Sequence, residues 1–299
     1  MGETVGNILL PPVPDSLREN LAFVLGAERA ETWLVGAVEC ARRLVQEWRL
    51  TPYEVLTGGS FSLCLRCVDE DGVATVLKVP ASAEDGAAEI AALRAWSGHG
   101  AARVLRTDPE SASILMNFLG HVGDGSYGLA DIVDLTERLH RGHPLDFPFP
   151  EVHDNLDRRV DWARSRFAED GYAHHLDDLR NAEKLVAELS TVAGDRVLLH
   201  GDLQAKNLIV SGGELVAVDP MPVVGPALFD IAFWIAKSDH ARPTRTYVDE
   251  VSRLRPDLDA DALLRWTWAL AVLENRPYLQ RGAVARQQFI DEVRDLVTV

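Results

Sequence analysis

Asp202 and Asn207 stand five positions apart in the stretch HGDLQAKN, between apolar runs that end at Leu199 and begin at Leu208. The pattern predicts a strand, a polar loop and a second strand. After the turn Ser211-Gly212-Gly213 another apolar run leads to a further carboxylate, Asp219. Three oxygen-bearing side chains thus fall at strand ends, on loops that a hairpin draws together. Phosphoryl transfer from a nucleotide needs such groups. One carboxylate positions and deprotonates an attacking hydroxyl, while an amide oxygen and a second carboxylate hold Mg²⁺ against the phosphates. An Asp-x4-Asn spacing is weak alone, because polar hairpin loops are common. The His-Gly-Asp start directly after an apolar run, and the later Asp219, strengthen it.

These residues sit in a chain of 299 residues, long enough for two domains or two lobes of one fold. Hydrophobic residues at 47% and charged residues at 25% are ordinary globular values, which exclude disorder and coiled coil. Acidic side chains outnumber basic ones by 46 to 30, giving a net charge of −16. That field repels phosphate backbones and attracts cations, so the expected partner is a small cationic molecule or a divalent metal, and no nucleic acid. No apolar run reaches the ~18–20 residues of a membrane span, so no membrane partner is expected. The first residues carry neither a basic segment nor a long apolar one, so no signal peptide is expected. Three cysteines fit a reducing, cytoplasmic setting. Cys64 and Cys67 have CxxC spacing but lie in the strand-like run FSLCLRCV, which reads as two packed strand cysteines.

The elements around the motif fall into two unlike parts, an α+β arrangement. Residues 1–50 read as a Pro-broken start followed by a helix over 29–48. Strands follow at 53–56, 61–68 and 73–79, then a helix over 83–97 with Ser82 as N-cap, then strands at 103–106 and 113–118. This is a small antiparallel sheet with one helix inserted after its third strand. From about residue 120 the pattern is helical, at 129–140, 155–167, 174–192, 260–274 and 284–297, interrupted by the β-like island 197–218.

HGDLQAKN followed by Val-Asp-Pro, and then GPALFDIAFW leading into a helix, resembles the aminoglycoside phosphotransferase family, closest to its streptomycin 6-phosphotransferase and hydroxyurea-type branch. The resemblance implies the bilobal protein-kinase-like fold, with an N-terminal nucleotide-binding lobe over 1–118 and a catalytic, substrate-binding lobe over 119–299. It implies ATP and Mg²⁺. It makes Asp202 the catalytic base, Asn207 and Asp219 the metal ligands, and His200 and Asp230 structural supports of the loop. The family often reads HGDLHxGN, whereas Gln204 and Lys206 stand here for the His and the Gly. Lys206 either reaches a transferred phosphate or is simply solvated. The kinase plan also asks for a glycine turn over the phosphates, a strand lysine and a helix glutamate. Gly58, Gly59 and Ser60, Lys78, and Glu89 occupy those places, with Glu84 as a competing partner for the lysine. The backbone of Met116, Asn117, Phe118 and Leu119 would meet the adenine.

The expected activity is therefore an ATP-dependent small-molecule kinase. It would phosphorylate a hydroxyl of a streptomycin-type aminoglycoside, in effect an antibiotic-resistance enzyme. A metabolic kinase of the same fold, acting on a sugar, amino sugar or amino alcohol, is the alternative, and a nucleotide-binding pseudokinase is a third reading. Acids of the second part, Asp161 and Glu274 foremost, are the candidates for holding a polycationic acceptor. Trp266 and Trp268 read as core rather than as a sugar-stacking platform.

Overall fold

The computed structural model describes the chain apart from residues 1–8, 57–61, 124–125, 142–146, 169–174, 192–195, 239–241, 276–282 and 298–299. It divides into two compact units, residues 1–119 and 120–299. The first begins with helices α1 (Asp15–Leu25) and α2 (Ala27–Glu47). Strands β1 (Thr51–Val55), β2 (Ser62–Val68) and β3 (Ala74–Pro80) follow, then α3 (Ala83–Trp96), β4 (Val104–Asp108) and β5 (Ser113–Asn117). The five strands form one antiparallel sheet in the order β1-β2-β3-β5-β4, so β3 is central. The amphipathic α2 lays Leu34, Ala37, Ala41, Leu44 and Val45 into a core with Leu63, Leu65, Leu77, Val79 and Leu115. Alternation along β3 then turns Lys78 to the opposite face from Leu77 and Val79.

Ser82 caps α3, its hydroxyl accepting a bond from the Asp85 amide at 3.2 Å. Gly86 lets this helix approach the sheet. A Cβ there would lie 2.6 Å from Pro80 Cγ and 2.9 Å from the Ala112 carbonyl oxygen. Glu89 stands three residues on, on the same helix face. Cys67 is fully buried and its thiol is pushed up to about 12 by that burial. It is packing, as the sequence suggested.

The second unit holds α4 (Leu129–His140), α5 (Val152–Phe167), α6 (His175–Ser190), β6 (Arg196–Leu199), β7 (Leu208–Ser211), β8 (Glu214–Ala217) and β9 (Val223–Pro226). Helices α7 (Leu228–Lys237), α8 (Thr244–Leu254), α9 (Ala260–Leu273) and α10 (Ala283–Leu296) complete it. Helices α7 and α9 are apolar nearly all round and lie at the centre, where Trp266 and Trp268 are both fully buried. The β island is two separate ribbons. The first strand pairs antiparallel with β9, and β7 pairs with β8 in a hairpin turning at Gly212 and Gly213. The pattern predicted neither β9, nor α8, nor a separate α1. No helix among the described residues is long and apolar enough to cross a membrane.

Candidate active site

In the first unit Lys78 Nζ donates to both carboxylate oxygens of Glu89, at 2.7 and 2.6 Å. Both side chains are buried, with exposures of 7% and 6%. A lysine on a central strand and a glutamate one turn past the close approach of Gly86 thus form an interior ion pair. Gly58, Gly59 and Ser60 lie outside the described residues. At the end of β5, the Asn117 amide donates to Arg103 O and the Phe118 amide to Ala74 O, both at 3.2 Å. Met116 pairs with Val76 inside the sheet. Three of the four residues expected to face a purine, Met116, Asn117 and Phe118, are therefore engaged by the sheet itself. Leu119, past the strand, makes no backbone bond to the described residues.

In the second unit the loop after β6 is pinned at every backbone group from His200 to Asp202. Asp230, in the first turn of α7, accepts from the His200 amide at 2.8 Å and the Gly201 amide at 2.9 Å. The His200 carbonyl accepts from the Met221 amide at 2.9 Å. The Gly201 carbonyl accepts from Arg159 Nη2 at 2.9 Å. The Asp202 amide donates to His200 Nδ1 at 3.3 Å, and its carbonyl accepts from Asn207 Nδ2 at 2.8 Å. Because Nδ1 accepts, Nε2 carries the proton and donates to Val218 O at 3.0 Å. Burial lowers the His200 pKa against the pull of Asp230 and Asp202, which fits this neutral tautomer. Asp230 is fully buried, which raises its pKa. The bond and charge of His140, whose Nε2 donates at 2.9 Å, outweigh that and keep the pKa below the usual carboxylate value.

This scaffold fixes the Asp202 side chain. Gln204 Nε2 donates to both of its oxygens at 2.8 Å, and Asn207 Nδ2 donates to Oδ2 at 3.0 Å. A carboxylate has about four lone-pair directions, and these bonds take three. The fourth lies on Oδ1, with Arg159 Nη2 at 3.7 Å. Lys206 Nζ is 3.7 Å from Oδ2, with its side chain 41% exposed. Lys206 lies in a single turn of 3-10 helix over Ala205–Asn207 and keeps a negative φ, so the family's glycine is dispensable there.

Asn207 uses its Nδ2 on Asp202, which leaves its Oδ1 as a donor atom for a metal. Its carbonyl accepts from the Val218 amide at 2.9 Å, continuing the β7–β8 register and carrying the chain to Asp219. Asp219 holds a left-handed φ of 57° just after the strand. An amide oxygen and a carboxylate are hard ligands of the kind Mg²⁺ accepts, with substrate phosphates completing its sphere. Among the described residues no group of three or more His, Cys, Asp or Glu side chains is arranged to hold a metal by itself.

The family pattern of the aminoglycoside/hydroxyurea antibiotic resistance kinases matches residues 47–280, most of the chain. The chain belongs to that family. Streptomycin 6-kinase of Streptomyces griseus is 32% identical over 232 residues, 73% of either chain. Streptomycin 6-kinase of Streptomyces glaucescens is 28% identical over 281 residues, 87% of this chain and 88% of that one. Among solved structures, amicoumacin kinase hAmiN in complex with AMP-PNP, Ca²⁺ and Ami superimposes with a TM-score of 0.61 at 15% identity, covering 86% of this chain and 93% of that one. The fold is the protein-kinase-like one, and the protein is a phosphotransferase acting on a hydroxyl group.

The kinase does not present its two candidate acceptor carboxylates as free groups. Asp161 is exposed on α5 and pairs with Arg164 at 2.9 Å. Glu274, expected to face an acceptor, is turned inward instead. It binds Arg159 and, at 3.2 Å, Lys237. Two residues that support the loop were not anticipated, His140 on α4, which bonds Asp230, and Arg159 on α5, which bonds the loop itself. Their signal was faint but present. Arg159 occupies an inward position of an amphipathic helix, beside Leu156, Val160 and Ala163, where a charge is out of place. A cavity of about 670 Å³ bordered by Glu151, His153, Asp157 and Glu183 contains none of the loop residues.

Proposed function

We propose that this kinase moves the γ-phosphate of ATP to a hydroxyl of an aminoglycoside of streptomycin type, with Mg²⁺ as cofactor. The observation that carries the reading is the Asp202 carboxylate, fixed on its loop by Gln204 and Asn207 with the Arg159 guanidinium facing Oδ1 at 3.7 Å. That hydroxyl donates to Oδ1 and gives up its proton to Asp202 as its oxygen bonds to the γ-phosphorus. The bond between the γ-phosphorus and the bridging oxygen breaks, and ADP leaves. Lys78, kept extended by Glu89, neutralises charge on the nucleotide phosphates. The Leu119 amide meets the adenine. Asn207 and Asp219 hold the metal, which supplies positive charge against the phosphates when bound. The relatives act, by their names, on streptomycin, and the acidity of the chain suits a cationic acceptor.

The test is ATP consumption against streptomycin, other aminocyclitols, hexosamines and choline, with the product identified by a phosphate mass shift. Streptomycin is expected to give the highest kcat/KM. Preference for a hexosamine or choline would assign a metabolic role, and Mg·ATP binding with no transfer to any acceptor would leave a nucleotide-binding protein. Asp202→Asn is expected to keep ATP binding and lose ~10³-fold or more of turnover. Full activity in that variant would remove Asp202 as the base.

A further inference from the structure

Arg159 is 3% exposed, in a helix face otherwise lined by Leu156, Val160 and Ala163. Burying a guanidinium there is costly, and an apolar side chain of similar volume would pack α5 against the core without that cost. Each arm of the group has a distinct partner. Nε donates to Asn155 Oδ1 at 2.8 Å, on the same helix. Nη1 donates to Glu274, just past α9. Nη2 donates to the Gly201 carbonyl at 2.9 Å and faces Asp202 Oδ1 at 3.7 Å. The Phe233 ring of α7 lies beneath it, 4.7 Å from the guanidinium carbon. Burial pulls the Arg159 pKa down, but the charges of Glu274 and Asp202 outweigh it and hold it above its ordinary value, so the group remains a cation. Glu274 in turn is held by Lys237 from the end of α7.

We propose that Arg159 is a positioning residue for the phosphotransfer, oriented by Glu274. It fixes the Gly201 carbonyl and faces Asp202 Oδ1, the oxygen to which the acceptor hydroxyl would donate. This deepens the functional reading above and rests on it. A planar fork suits the task because it reaches the loop and Glu274 at once in fixed directions, which a lysine cannot do. Glu274 acts on the loop through Arg159, so the acidic residue that the sequence offered as an acceptor ligand belongs to the machinery behind the base.

Arg159→Met removes the fork and keeps the stem. It is expected to lower kcat ~100-fold, the scale of a small misplacement of a reacting group, with KM for ATP and acceptor within about threefold of wild type. Arg159→Lys is expected to recover part of that loss. The double variant R159M/E274Q is expected to be no slower than Arg159→Met alone, since the second change acts through the first. An R159M kcat within threefold of wild type, or losses that multiply in the double variant, would overturn the proposal. If Arg159→Met fails to fold, Arg159→Lys carries the same kcat-against-KM split. Asp202→Asn assayed alongside separates the failures. An active Asp202→Asn sinks the functional reading, whereas an inactive Asp202→Asn beside a fully active Arg159→Met sinks only this one. A crystal structure of the Arg159 variant needs no turnover. The Gly201 carbonyl and Asp202 carboxylate are expected to be re-oriented, and an unchanged loop would refute the positioning role.

Discussion

A methyl group on Gly201 would lie 2.0 Å from the Met221 carbonyl oxygen, and the residue holds a left-handed φ of 75°. Both constraints act on the residue directly before Asp202, and its carbonyl is the one that Arg159 grips. Gly201→Ala is therefore expected to cost about 2 kcal/mol or more of stability from conformation and contact together. It should also lower turnover more than that loss of stability explains. Denaturant unfolding and kcat on the same preparation check this, and a variant with wild-type kcat would mean the loop tolerates a shifted Gly201. The Asp202–Asn207 contact was legible in the sequence because the two types and their spacing are local. Arg159 and His140 were not. Arg159 reaches the loop across 42 residues of chain, and His140 reaches Asp230, the loop's anchor, across 90. The one local sign, a charge at an inward position of α5, names no partner for Arg159.

At the scale of elements, the sheet of the first unit and its inserted helix follow from features that lie close together in sequence. Alternation in β3, the Ser82 cap, and the Gly86-to-Glu89 spacing are all local. They fix on which face Lys78 emerges and what it meets. Lys78→Met removes the cation that donates to both oxygens of the buried Glu89, which is expected to cost about 3–5 kcal/mol. K78M/E89M removes both charges and should recover much of that loss, while nucleotide affinity stays low in either variant. Chemical denaturation and nucleotide titration separate the two effects, and a double variant no more stable than the single one would show the pair is not the source of the cost. The second unit was less legible. Pairing of β6 with β9 joins residues 24 or more apart in the register Leu199↔Val223, and a four-residue strand carries little pattern of its own. The apolar α7 and α9 stand out in composition, yet periodicity does not say that they lie side by side. The inward turn of Glu274 follows from that packing, so an acid at the end of an apolar helix looked like a ligand when it is an internal partner.

At the scale of the whole molecule, the chain carries a net charge of −16, and the two substrates of the proposed reaction have opposite charge. A field of that sign draws a guanidinium- or ammonium-bearing acceptor inward and opposes the anionic Mg·ATP complex. Salt weakens both effects, since the Debye length falls from ~30 Å at 0.01 M to ~10 Å at 0.1 M. Local groups such as the Lys78–Glu89 pair are buried and little screened, so the salt-sensitive part comes from the summed surface charge. Raising ionic strength between those limits is therefore expected to raise KM for a cationic acceptor several-fold, and to leave KM for Mg·ATP unchanged or lower. The ratio of the two constants is the sharper readout, because a general effect of salt on the enzyme cancels in it. An uncharged acceptor, if one is found, should show no such rise. If both constants moved together by the same factor, the acidity of the surface would serve solubility alone, and selection of a cationic acceptor would have to come from contacts within its site.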